Sequence, residues 1–182
     1  MMQELSLNIL DIAQNSIRAG ASLVEITVDE QPVQDQLTII VRDNGCGMSA
    51  KQVEQVMDPF FTTRTTRKVG LGVPFFKMAA ELTGGGLTID STEGQGTTVT
   101  ATFGLGHIDR MPLGDMASTY CTLVQGSPEV DFVYLHRRGE AEFTADTRSF
   151  RAALDGVPLD HPEVLQFIAE LIREEMTGED LP

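Results

Sequence analysis

Val41-Arg42-Asp43-Asn44-Gly45-Cys46-Gly47-Met48 closes an apolar run, Leu37-Thr38-Ile39-Ile40-Val41, with one carboxylate and two glycines. A run rich in β-branched residues reads as a strand. Asp-Asn-Gly behind a strand suggests a two-residue hairpin turn, but the residues that follow argue for a helix. Ser49-Ala50-Lys51-Gln52 fits a capping box, and Val53, Val56 and Met57 recur behind it at helical spacing. Strand, glycine loop, helix is an order in which bare backbone can approach a flat or anionic ligand.

Composition narrows the class of ligand. The 182 residues suffice for one substantial core, or one core with a small appendage. A net charge of -14 argues against nucleic-acid binding, which needs a concentrated basic surface. No apolar run approaches the roughly 20 residues of a membrane helix. The start, Met1-Met2-Gln3-Glu4, lacks the basic flank of a signal peptide, so the expected location is cytoplasmic. Cys46 and Cys121 form no metal-type pair, and each is read as a free thiol. Against the acidic background, Arg64, Arg67 and Lys68 fall within five residues and offer a docking point for a compact anion such as a triphosphate.

The first helix is expected from Leu5 to Arg18, stopped by Ala19-Gly20. Leu5, Ile9, Ile12, Ala13 and Ile17 share an apolar arc, with Asn8, Asp11, Asn15 and Arg18 in a polar stripe on the other side. Asn15 offers a neutral oxygen suited to Mg2+, and Asp11, one turn earlier, could hold a water or take a proton. Strands Leu23 to Asp29 and Leu37 to Arg42 should pair as an antiparallel hairpin. Asp58 to Gly70 has no clean period; Phe60 and Phe61 should anchor it, with the remainder as a lid. Gly70-Leu71-Gly72 opens a helix reaching Leu82, with Phe75, Met78, Ala79 and Leu82 expected inward. Its glycines are a second candidate phosphate seat. Leu87 to Ser91 and Thr98 to Phe103 read as a hairpin across Thr92-Glu93-Gly94-Gln95-Gly96-Thr97. Beyond a junction at Gly106, Pro112 and Gly114, helices are expected at 115–124, 147–154 and 162–176. A strand at 130–136 should pair with one at 140–145.

Four pieces thus occur in one order: Asp11…Asn15, Asp43-Asn44-Gly45-Cys46-Gly47, Gly70-Leu71-Gly72 and Gly94-Gln95-Gly96-Thr97. Over residues 3 to 104 this resembles the ATP-binding domain shared by DNA gyrase, the heat-shock chaperone, histidine kinases and MutL, the GHKL superfamily. Pro59-Phe60-Phe61-Thr62-Thr63-Arg64 also resembles the aromatic box of histidine kinases. The resemblance implies an α+β fold: a two-layer α/β sandwich with a mixed, mostly antiparallel sheet and helices on one face. Residues 1–105 would be the ATPase domain, and residues 106–182 a small mixed α/β C-terminal extension, either a docking module or an extension of the sheet.

By position, Asn15 would coordinate the Mg2+ that bridges the phosphates of ATP. Asp43 would accept a hydrogen bond from the adenine amino group, with Gly45 and Gly47 leaving room for the base and Met48 beside them. Gly70, Leu71 and Gly72 would bring backbone N–H groups to the phosphates, and Thr97 would help fix adenine. Thr62, Thr63, Arg64 and Lys68 would lie where the lid meets the phosphates. Asp11 is the candidate general base, one methylene shorter than the glutamate that ATP-hydrolysing members carry there.

Histidine kinases present their phosphoacceptor on a helical hairpin ahead of the ATPase domain. Only a few residues precede the first helix here, and none of His107, His136 and His161 resembles that acceptor. The leading expectation, motivated by the short lid and the aromatic box, is a kinase-like protein that phosphorylates or signals to a separate protein partner. Asn15-Ser16-Ile17-Arg18-Ala19-Gly20-Ala21 resembles the MutL branch. It motivates the alternative, a nucleotide-gated interaction module with slow hydrolysis or none and nucleotide-dependent homodimerisation.

Overall fold

In the computed structural model, which describes residues 4–60 and 71–178, the chain opens α1 (Leu5–Arg18), β1 (Leu23–Gln31), β2 (Gln36–Asp43), α2 (Ala50–Met57) and α3 (Gly72–Glu81). It continues β3 (Gly86–Thr92), β4 (Gly96–Gly104), α4 (Met116–Gly126), β5 (Asp131–Arg138), β6 (Ala141–Asp146), α5 (Thr147–Leu154) and α6 (Pro162–Gly178). The strand, loop, helix order at Asp43 is observed. Ser49 Oγ accepts from the Gln52 N–H and Gln52 Oε1 accepts from the Ser49 N–H, so both halves of the capping box form. At the end of α1, Gly20 takes φ +76° and donates to the Ile17 carbonyl, while Ala21 donates to that of Ser16. This pair of bonds satisfies the last carbonyls of the helix and needs a residue that tolerates the left-handed region.

The strands form one sheet in the order β3-β4-β2-β1-β5-β6, antiparallel throughout except for the parallel pair β1–β5. Period-two patterning makes it one-sided. Val24, Ile26 and Val28 of β1 and Leu37, Ile39 and Val41 of β2 are buried, while their neighbours Glu25, Thr27, Thr38 and Arg42 point the other way. Helices α1, α3 and α4 pack on the apolar face, giving the mixed, mostly antiparallel α/β sandwich expected. Strands β5 and β6 extend this same sheet, and Tyr120, Phe132, Tyr134, Ile168 and Ile172 belong to the same buried cluster as Leu5 and Ile9. The connector before α4 is also tied in. The Pro112 and Leu113 carbonyls accept from Leu5 and Ser6 N–H at 3.0 and 2.7 Å, occupying donors that a helix start leaves free.

Three expectations need correction. The inward face of α3 is Val73, Phe76 and Ala80; Phe75, Met78 and Leu82 are exposed by 39%, 52% and 61%. The helix is apolar almost all round, so spacing alone cannot choose its face. Contact of the Phe76 ring with Phe103 of β4, centroids 5.7 Å apart, marks the inner side. Asn8 does not lie on a solvent-facing stripe: it is 1% exposed. Phe60 does not anchor its segment. Its N–H bonds the Asp58 carboxylate, and this turn leaves the ring 90% exposed. Phe61 lies outside the described residues, as does the basic cluster Arg64, Arg67, Lys68. Among the described residues no helix is long and apolar enough to cross a membrane.

Candidate functional site

Asp43 ends β2 where the sheet meets the C-terminal half of α1. Its Oδ2 accepts from the Ser16 hydroxyl at 2.6 Å and its Oδ1 from the Gly45 N–H at 2.9 Å, so the carboxylate is held in one orientation. Register places Thr97 of β4 directly opposite Asp43, and Ser91 of β3 opposite Thr97. Ser91 Oγ lies 2.8 Å from Thr97 Oγ1, accepts from the Met48 N–H at 2.8 Å and donates to the Gly96 carbonyl. The loop after Asp43 is thereby fastened to the β3–β4 hairpin, and Gly94 N–H adds a bond to the Cys46 carbonyl at 2.7 Å.

Two glycines have reasons rooted in this fastening. Gly47 has φ +68°, and a Cβ there would overlap the Thr92 carbonyl; Gly96 has φ +120°, and a Cβ there would overlap the Asp43 carbonyl. Both positions combine left-handed backbone with direct backbone approach, which only glycine supplies.

Asp43 stands at one end of a cavity of about 340 Å³ between α1, the 44–48 loop, α2, the start of α3 and the β3–β4 hairpin. That volume suits a small-molecule ligand. Ile12, Val73, Ile89 and Val99 supply apolar walls, and Asp43 and Thr97 the polar end. An ionised carboxylate only accepts hydrogen bonds, so an apolar slot ending in one selects a flat group bearing an N–H donor.

Along α1, away from Asp43, come Ser16, Asn15, then Asp11. Asn15 faces the cavity, and its Oδ1 accepts from Arg18 Nη1 at 2.8 Å. Asp11 lies where α3 begins: a Cβ on Gly72 would come 3.0 Å from the Asp11 Cβ. Burial raises the pKa of the Asp11 carboxyl, and the Arg18 charge partly offsets this.

Of the residues singled out in the sequence, Asn15, Asp43, Gly47, Met48 and Thr97 line the cavity together. Gly45 lies behind Asp43, and Asp11 and Gly72 meet one turn beyond Asn15. Leu71 caps α3 without a side-chain bond and is 46% exposed. Thr62, Thr63, Arg64, Lys68 and Gly70 lie outside the described residues. Sequence reasoning missed Ser16, the role of Arg18, and Ser91. Ser16 and Arg18 adjoin the Asn15 position and were within reach of a helical projection. Ser91 was not, because its link to Thr97 depends on strand register.

Away from this cavity, His136 and Cys121 have partners within the fold. His136 is buried between the Tyr134 hydroxyl and the Glu30 carboxylate, both at 2.8 Å. Burial pushes the Cys121 thiol up to about 11.

Residues 1–107, more than half of the chain, match the family described as "Histidine kinase-, DNA gyrase B-, and HSP90-like ATPase", and the chain belongs to that family. It is 31% identical over 109 residues to a putative sensor protein of Shewanella frigidimarina (strain NCIMB 400), covering 59% of this chain and 17% of that protein. It is 33% identical over 85 residues to the sensor protein kinase WalK of Staphylococcus aureus, covering 44% of this chain and 20% of that one. The match therefore spans a fifth or less of either relative. Among solved structures, the MutL ATPase domain of Aquifex aeolicus complexed with ADP aligns with a TM-score of 0.47 and 16% identity, over 79% of this chain and 64% of that one. Family membership implies ATP binding.

Proposed function

We propose that the chain is a cytoplasmic protein that binds Mg2+-ATP in the Asp43 cavity and transfers phosphate, or signals, to a separate protein partner. The observation that carries the reading is the convergence of Asp43, Thr97 and Asn15 on one apolar-walled cavity. Adenine fits the slot, its amino group donating to Asp43 while Thr97 supplies a second polar contact. Pinning by Ser16 and Gly45 pre-orients the carboxylate, which lowers the entropic cost of binding. The phosphates then run along α1 past Asn15 towards Asp11 and the start of α3, where free N–H groups favour anions.

The residues present fit Mg2+. Among the described residues no group of three or more His, Cys, Asp or Glu could hold a metal. Mg2+, however, is commonly held by one or two protein oxygens together with substrate phosphates. Asn15 Oδ1 is such an oxygen, and Arg18, now bonded to it, is placed to turn to a phosphate. The ion would neutralise phosphate charge; Asp11 is the group here that can orient a water or accept a proton.

A protein partner is supported by α3. Leu71, Phe75, Met78 and Leu82 recur at helical spacing and leave an apolar stripe exposed, beginning at the phosphate end of the cavity. Such a stripe suits the apolar groove or helix of another protein.

The test is Mg2+-ATP titration of wild type, Asp43→Asn and Asn15→Ala, followed by labelled ATP with candidate partners. Losing the bond to the charged carboxylate removes about 1.5–3 kcal/mol, so Asp43→Asn should weaken ATP about 10- to 150-fold. Asn15→Ala should weaken ATP chiefly when Mg2+ is present. Wild type without adenine-nucleotide affinity would sink the reading; binding with no labelled protein would sink the transfer step alone.

A further inference from the structure

Asn8 is the one side chain among the described residues whose polar atoms are buried with no hydrogen-bond partner: neither Oδ1 nor Nδ2 is bonded, and the residue is 1% exposed. A buried, unbonded amide destabilises a fold, and such groups in native proteins call for a reason. No local role supplies one. Asn8 sits inside the first turns of α1, where asparagine is a weak helix former. At the helix start the Leu5 and Ser6 N–H groups are already met by the Pro112 and Leu113 carbonyls. An aliphatic residue would serve packing better.

Its place supplies the reason. Asn8 precedes Asp11 by three residues and Asn15 by seven, so the three share one edge of α1. The edge runs from the Asp43 end of the cavity at Ser16 outward, and it meets α3 where Gly72 abuts Asp11. Residues three apart on a helix are within side-chain reach.

We propose that Asn8 is a positioning residue for Asp11: with nucleotide bound, its amide N–H donates to the Asp11 carboxylate, directly or through one buried water, and aims it at the terminal phosphate. This rests on the reading of the cavity as an Mg2+-ATP site. It accounts for a buried amide that weakens the fold yet lies three residues from Asp11, the acidic side chain that meets Gly72 at the start of α3. The bond would also favour the charged form of Asp11, against the burial that disfavours it.

The test uses the full chain as wild type, Asn8→Leu, Asp11→Asn and the double variant, with Asn8→Val as a second variant should leucine not fit. Three quantities are read: the unfolding midpoint without nucleotide, Mg2+-ATP affinity, and the single-turnover rate of ADP formation. In Asn8→Leu the midpoint should rise by about 2–4 °C, since hydrocarbon replaces a buried, unbonded amide. ATP affinity should stay within about threefold and the rate should fall at least about tenfold, as expected for lost positioning of a proton acceptor. The double variant should be no slower than Asp11→Asn alone. A falling midpoint, a rate within about twofold of wild type, or additive rate losses would overturn the proposal. Wild type that binds ATP but never forms ADP overturns it and leaves the binding reading intact; wild type that binds no ATP removes both.

Discussion

Gly47 and Glu30 show how single residues here carry constraints of opposite origin. At Gly47 the constraint is backbone: φ +68° and a carbonyl of Thr92 where a Cβ would stand. Gly47→Ala should cost more than the roughly 1–2 kcal/mol of left-handed strain alone. The 44–48 loop must also leave the hairpin, so ATP affinity should fall with the unfolding midpoint. At Glu30 the constraint is electrostatic. The bond from His136 holds the carboxyl below the ordinary glutamate value near 4.5, outweighing the opposing effect of burial. A depressed folded pKa contributes stability that is complete above the unfolded value and lost as pH falls through the folded one. The wild-type advantage over Glu30→Gln, followed by thermal unfolding from pH 5 down to 3, should shrink as pH falls below about 4.5. An advantage that grows towards acid would contradict the assignment.

At the scale of elements, α3 is the informative case. Its composition makes it a helix under any reading, with Pro74 in the first turn where the missing N–H costs nothing. Its orientation is set by what lies beneath. Phe76→Ala should cost about 3–5 kcal/mol, as for a buried ring. Met78→Ala, at a side that is 52% exposed, should stay within about 1 kcal/mol yet weaken partner binding. Denaturant unfolding of the two variants separates inner from outer face, and equal losses would show the rotation to be wrong. The contrast with α1 is instructive. Its apolar arc and polar stripe differ in chemistry, so periodicity oriented it correctly at Leu5, Ile9 and Ile12 and erred at Asn8, which is buried.

For the whole molecule, the parallel ladder between β1 and β5 is decisive. The family match ends at residue 107, yet β1 has β2 on one side and β5 on the other, and α4 covers part of α1. Ending the chain after Gly104 would bare the β1 edge and the buried faces of Leu5, Ile9 and Val24. The truncated chain should therefore aggregate or unfold well below the full-length midpoint. A soluble truncation with unchanged ATP affinity would show instead that the first unit stands alone.

The sequence by itself determined the elements, their order, and several of the residue types that line one cavity. Those are written locally, in capping boxes, β-branched runs, and glycines beside a carboxylate. Asp43 and Asn15 stood out in the sequence because few residue types offer their chemistry in such surroundings, and the fold sets both on that cavity. The tertiary structure alone decided which face of α3 is buried, that Ser91 holds Thr97, that Asn8 is buried, and that the last two strands join the first sheet. Each of those depends on register or on packing between segments far apart in the chain, and local periodicity carries no information about which surface will arrive opposite.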